Sequence, residues 1–263
     1  MPRTVFRLSP YRLSIFRQCP RRYKYHYLDG LYRQYRKYWP FLTMGHNVHL
    51  ALRRFFLTSN GDRTAANLEN LLRTAWRDNR LGFSDKAEEK EYFGRALQQL
   101  RWFARTQDVA AQPFHSEAFY KVYLTPDFLV EGRIDRIDRQ EDGSLHVVDY
   151  KTNKSARRAD DLPLLIYALM LDRLRAKGGL VEPVGAASYL YLNGTGFDSV
   201  IPTAAALAET EAELLAARAE IMAEEAFSPR PSRLCAYCDF TELCEAADGH
   251  GPPEEDEPND CET

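Results

Sequence analysis

The sequence has no run of about 18 apolar residues, the length a membrane-spanning helix needs. Its opening, MPRTVFRLSPYRL, lacks the apolar core of a secretory leader, so a cytoplasmic protein is expected. No Gly-rich phosphate loop ending in Gly-Lys-Ser/Thr occurs, so any helicase acting with it is expected to be a separate chain. Cysteine is sparse: Cys19, Cys235, Cys238, Cys244 and Cys261 are five in 263 residues. In a reducing compartment such a set serves metal or redox chemistry rather than disulfides. Acidic residues are nearly missing from residues 1–40, which carry Asp29 alone against ten Lys and Arg.

What is present follows from these gaps. The net charge of −3 argues at first against a nucleic-acid partner, but seven of the acids sit in residues 246–263, which contain no Lys or Arg. The rest of the chain holds 35 basic and 31 acidic residues. Ten aromatics, Tyr23, Tyr25, Tyr27, Tyr32, Tyr35, Tyr38 and Trp39 among them, are interleaved with the N-terminal cations. Such a segment suits phosphate contact and base stacking. It equally suits a surface helix that turns its rings inward. A hydrophobic content of 44% is enough for one large domain with a core.

Periodicity places helices over residues 10–28, with a possible break at Cys19-Pro20, and over 44–58, 63–81 and 85–108. Strands are expected at 116–124, 128–139 and 144–152, the last two joined by the turn Glu141-Asp142-Gly143. A helix at 159–176, a strand at 186–193 and an Ala/Glu-rich helix at 203–226 follow. Consecutive strands, a crossover helix and a further strand predict an α/β fold with a mixed central sheet flanked by helices. The Pro/Gly-rich acidic tail, residues 246–263, reads as disordered.

The most informative cluster is Gly132-Arg133-Ile134-Asp135 followed by Asp149-Tyr150-Lys151. Residues two apart on a strand share a face at roughly 6.5–7 Å, so Asp149 and Lys151 project together and Tyr150 points away. In-register pairing would bring Asp135 to the same face. Two carboxylates at one point make a hard oxygen site for Mg²⁺ or Mn²⁺, which the Tyr150 carbonyl could extend. A lysine there can orient an attacking water or stabilise charge on a phosphate, as phosphodiester hydrolysis requires. The hairpin alone would also suit a solvated sheet face. Asp138, three residues after Asp135, should point the other way.

In order, these pieces resemble the RecB-like branch of the PD-(D/E)XK nucleases, which has a restriction-endonuclease-like fold. Gly45-His46-Asn47-Val48-His49 looks like an early Gly-x-x-x-His motif, which puts His49 forward as a metal ligand, with His46 one turn away as its competitor. Glu117 sits where a glutamate often precedes the first core strand; Asp135, Asp149 and Lys151 match the acidic and lysine positions. Tyr167 falls in a Gln-x-x-x-Tyr motif whose glutamine is here Pro163, a departure that touches a DNA contact and not the metal site. Glu117 and Tyr167 are accessory candidates. The resemblance implies an exonuclease on DNA with single-stranded or free ends, in repair or recombination.

Cys235-x2-Cys238-x5-Cys244 has metal-ligand spacing, and Cys19-Pro20 offers a fourth thiolate. Residues 8–28 resemble the N-terminal element of iron–sulfur nucleases, such as the AddB nuclease domain and CRISPR-associated exonucleases. The resemblance implies a structural 4Fe–4S cluster on Cys19, Cys235, Cys238 and Cys244. A site of four cysteines also suits Zn²⁺. Cys261 is not expected to be a ligand. The expected organisation is one nuclease domain over 1–245, with a helical insert at about 60–110, a core at about 112–195 and the cysteine cluster at 235–244. The alternative is a catalytically weak DNA-binding or helicase-partner module with the same staple.

Overall fold

Three strands rich in β-branched and aromatic residues form the middle of the chain: β2 (His115–Thr125), β3 (Phe128–Arg139) and β4 (Leu145–Lys151). In the computed structural model, which describes residues 5–153, 160–179 and 182–247, β3 pairs antiparallel with both β2 and β4. Gly143, at φ +83°, makes the β3–β4 turn, a conformation that glycine adopts without a Cβ clash. β1 (Phe6–Leu8) adds parallel to β3, β5 (Val184–Tyr191) parallel to β4, and β6 (Gly196–Val200) antiparallel to β5. The sheet is thus mixed, as expected.

Both faces of this sheet are covered, which explains why the adjacent Val147 and Val148 of β4 are both buried. Val147, Ala187, Tyr189 and Tyr191 face a core built with α1 (Pro10–Gln18), α7 (Leu162–Ala176) and α8 (Ala204–Ala223). Val148, Tyr150, Leu190 and Leu192 face a second core built with α4 (Pro40–Leu57), α5 (Ala65–Asp78) and α6 (Lys86–Thr106). Strand alternation therefore decides which helical layer each β4 side chain meets.

The N-terminal helix divides where proline requires it. Cys19 is extended (φ −158°, ψ 107°), because the residue before Pro20 is disfavoured in the helical region. Helix then resumes as α2 (Pro20–Tyr23), passes into a π-helical turn at Lys24–Leu28, and is followed by α3 (Tyr32–Tyr35). The helix expected at 44–58 begins earlier, at Pro40, a residue tolerated in a first turn. β1 and β6 were not expected; three and five residues are too short to show a period. The strand expected at 186–193 lies two residues earlier. The start of the helix expected at 159–176, and residues 248–263 with Cys261, lie outside the described residues. No helix among the described residues is long and apolar enough to cross a membrane.

Candidate active site

The register places the acids. Ser116 pairs with Arg136 and Ala118 with Ile134, so Glu117 lies opposite Asp135. Arg136 also pairs with Val148, so Asp135 in turn lies opposite Asp149. The β3–β4 ladder ends at Arg136 and Val148, and the Asp135 carboxylate takes over beyond it: its Oδ2 accepts the Tyr150 backbone N–H at 2.7 Å. Glu117 has φ +53°, a region costing a non-glycine residue about 1–3 kcal/mol. Such strain is found where a side chain is aimed at a functional site.

α4 brings His49 to the same point. Its Nδ1 lies 3.1 Å from Asp135 Oδ1 and 3.7 Å from Glu117 Oε1. Potential ligand atoms of His49, Glu117 and Asp135 lie within 4.8 Å of one another, the one such group of three or more among the described residues. Next to them, Lys151 Nζ lies 2.9 Å from Asp149 Oδ1 and 4.6 Å from the Tyr189 ring centre. The Lys151 backbone is fixed by Leu192 N–H at 2.9 Å, and that of Thr152 by the Gln99 amide at 2.7 Å. All six residues, Glu117, Asp135, Asp149, Tyr150, Lys151 and His49, line one cleft of about 260 Å³.

Electrostatics describe a site in which each carboxylate is held by a cation. Burial alone would lower the His49 pKa, but the Asp135 and Glu117 carboxylates outweigh it and raise it to about 10. Burial disfavours the Asp135 anion, yet His49 and the Tyr150 N–H hold its carboxyl below the usual range. Burial, with Asp135 adding to it, holds the Asp149 carboxyl above the usual range despite Lys151. Three carboxylates thus share His49, Lys151 and Arg133, whose guanidinium lies 3.4 Å from Glu117 Oε2. A cation entering here would meet carboxylate oxygens and an imidazole, a donor set that fits Mg²⁺ or Mn²⁺, and would displace the His49 proton.

The residues singled out in the sequence converge, with differences in emphasis. Glu117, an accessory candidate, sits within the ligand group, while Asp149 is engaged with Lys151. His49 rather than His46 reaches the cleft, and Asp138 turns to Arg136 Nε at 2.8 Å. Tyr167 and Pro163 line the cleft one turn apart; Pro163 stands in the first turn of α7, where a missing N–H costs nothing. Gly132 leaves room for the ring: a Cβ on it would meet Tyr167 Cε1 at 3.0 Å, so the ring would have to give by a few tenths of an ångström. Unanticipated lining residues are Ser9, Tyr11 and Ser14 at α1, and Phe119, Glu131 and Arg133. The last two could have been read from the strand itself, four and two positions before Asp135.

The cysteines form a second centre. Cys19, Cys235, Cys238 and Cys244 line one cavity and none is in a disulfide. Backbone N–H groups of Arg230, Ser232 and Phe240 donate to the sulfurs of Cys19, Cys235 and Cys238 at 3.5, 3.4 and 3.5 Å. Many N-terminal cations are spent on the C-terminal segment. Arg17 binds Glu213 (2.6 Å), Arg21 binds Glu245 (3.1 Å) and the Phe227 carbonyl (2.8 Å), and Arg22 lies 3.9 Å from Asp239, which also accepts the Lys37 backbone N–H (2.8 Å). The part of α1 that walls the cleft is uncharged.

Comparison with known proteins agrees with this geometry. The family model of the PD-(D/E)XK nuclease superfamily matches residues 7–245. The chain belongs to that superfamily, whose members are nucleases that use divalent metals. A candidate exonuclease from Eubacterium rectale has a similar fold, at 16% identity, TM-score 0.52, covering 90% of this chain and 88% of its own. The crystal structure of SSO0001 aligns at 16% identity and TM-score 0.46, over 92% of this chain and 86% of its own. No curated protein matches the sequence.

Proposed function

We propose that this chain is a Mg²⁺- or Mn²⁺-dependent deoxyribonuclease of the RecB-like branch, an exonuclease acting on single-stranded or frayed DNA ends in repair or recombination. One observation carries the reading: Glu117, Asp135, Asp149, His49 and Lys151 converge in one cleft where the β3–β4 ladder ends. His49, Glu117, Asp135 and Asp149, with the Tyr150 carbonyl, would hold the ion. When bound, it supplies Lewis acidity toward the phosphodiester and lowers the pKa of the attacking water. Lys151 leaves Asp149 to orient that water or to stabilise charge on the phosphate. Asp135 keeps its place through the Tyr150 N–H, and Tyr167 with Pro163 closes the cleft opposite the sheet.

The cysteine centre is read as a structural 4Fe–4S site. Tetrahedral zinc, with Zn–S near 2.3 Å, would gather four sulfurs to roughly 3.8 Å of one another. The four cysteines line one cavity, which either centre requires, and the resemblance of residues 8–28 to iron–sulfur nucleases favours the cluster. N–H donors to three of the sulfurs suit cluster thiolates. The domain organisation follows: one nuclease unit over residues 1–245, with α5 and α6 as the helical insert and a separate helicase as a possible partner.

The test is cleavage of end-labelled single- and double-stranded DNA with Mg²⁺ or Mn²⁺. The intact protein is expected to shorten labelled ends, and Asp149→Ala and Lys151→Ala to stop. DNA binding without metal-dependent cleavage by the intact protein would instead favour a silent binding module.

A further inference from the structure

β2 presents its two faces unequally. Tyr120 and Val122 turn toward the core with α7, whereas Phe119, Lys121 and Tyr123 turn outward. Phe119 and Tyr123 are 55% and 48% exposed. Singly exposed rings need no explanation, but these two share a face four positions apart, roughly 13–14 Å along the strand. Lys121 stands between them, its Nζ 5.3 Å from the Phe119 ring centre.

Neighbouring strands extend the pattern. Phe119 pairs with Arg133, Lys121 with Glu131 and Tyr123 with Leu129, which in turn pairs with Arg7. Arg7, Lys121 and Arg133 therefore share this face with Glu131, Glu117 and Asp135; Arg7 holds Glu131 at 3.6 Å and Arg133 holds Glu117 at 3.4 Å, while Lys121 stands at the end away from Glu117 and Asp135. Lys177 of the α7 C-terminal end reaches the Tyr123 carbonyl at 3.4 Å. The inner end of the stripe is continuous with the cleft, since Phe119, Glu131 and Arg133 line it.

We propose that this outer face of β2 is the track along which single-stranded DNA enters the cleft, with Phe119 and Tyr123 stacking bases and Lys121 and Arg133 meeting phosphates. Resting on the nuclease reading above, it deepens that reading by assigning the substrate form. Separated bases offer ring faces to stack on, which a closed duplex does not. Positive charge matches the phosphate chain, and continuity with the cleft sets the direction of travel toward Asp135 and Asp149.

The test uses the full chain and a Lys121→Ala/Tyr123→Ala variant, whose positions lie outside the cleft. Anisotropy without added divalent metal should show single-stranded DNA of roughly 12 nucleotides binding at least tenfold more weakly to the variant. Duplex affinity should fall only by the share of one phosphate contact, and the salt dependence should flatten by about one unit of slope. With metal, KM for the oligonucleotide should rise while kcat holds, and a dinucleotide, too short to reach Tyr123, should be cut as before. Tyr123→Trp should retain single-strand affinity. Unchanged single-strand affinity, or an equal loss on duplex, would overturn the track. An intact protein that binds single strands through Tyr123 but never cleaves would keep the track and remove the nuclease reading. Cleavage indifferent to Lys121 and Tyr123 would do the reverse.

Discussion

The acidic cleft and the cysteine centre are two sites rich in potential ligands and built on opposite principles. In the cleft, the ligands stand on strands and a long helix whose backbones are fixed by ladders and by buried hydrogen bonds such as Gln99 to Thr152. Its ligand atoms already lie within 4.8 Å without an ion. The cysteine centre is drawn from the break between α1 and α2 and from residues 235–244, which hold only a short 3-10 turn, Arg233–Tyr237. Its sulfurs stand further apart. The first site is drawn from regular elements, whereas the second lies between two distant segments joined by Arg21, Tyr25 and Lys37 to residues 227–245. Burial holds the Cys238 thiol above its usual range, so ligation must displace a proton there too.

If that contrast holds, damage to the cleft should destroy catalysis and spare the fold, and damage to the cysteines should do the opposite first. The largest effect is expected from Lys151→Ala: a loss of roughly 10²–10⁴-fold in kcat, with the melting temperature nearly unchanged. Unfolding at a much lower temperature would mean that the cleft is also a structural keystone. Next is Cys235→Ser. Opening a closed loop of more than about 200 residues is expected to cost about 4–5 kcal/mol, or roughly 10 °C in melting temperature, with loss of the bound metal by elemental analysis. A melting curve identical to the wild type would end the staple reading.

A smaller effect concerns pH. His26, in the π-helical turn, is stacked between Tyr27 and Tyr32 at 4.1 Å each, and its buried Nδ1 has no hydrogen-bond partner. Burial first, then Arg22 and Arg12, lowers its pKa from 6.5 to about 4. The unfolded chain therefore takes up the proton first as pH falls. Stability from this group is intact above pH 6.5 and declines toward pH 4, muted by the part of the ring that solvent reaches. Melting curves across that window should show the decline, and His26→Phe, which keeps the stack, should flatten it. The smallest effect is expected from Glu245→Gln, which removes the exposed pair to Arg21: less than about 1 kcal/mol in chemical denaturation. A large loss there would show ion pairs, not the cysteines, holding the two segments together.

Much of this was legible beforehand because the period-2 pattern of β3 and β4 fixes which side chains share a face. Asp149 and Lys151 needed only that rule, and Asp135 needed only the Gly143 turn. Glu117 was harder to weigh: its inclusion depends on a positive φ and on the β2–β3 register, neither of which a local pattern shows. Pairing of Arg17, Arg22 and Arg21 with Glu213, Asp239 and Glu245 was hidden for a different reason, since contacts across some 200 residues leave no trace in spacing. The basic segment was weighed as a nucleic-acid wall, yet in the structure α1 walls the cleft with Ser9, Pro10, Tyr11 and Ser14.

That same long-range pairing sets a timetable. Cys19 leaves the ribosome 216 residues before Cys235, a wait of roughly 10–40 seconds at ordinary rates of synthesis. For nearly all of that wait Arg21, Tyr25 and Lys37 have none of their C-terminal partners. Translation thus finishes the centre of the molecule before its clasp, and a truncated product would carry a formed sheet with an unfastened, tyrosine-rich arm.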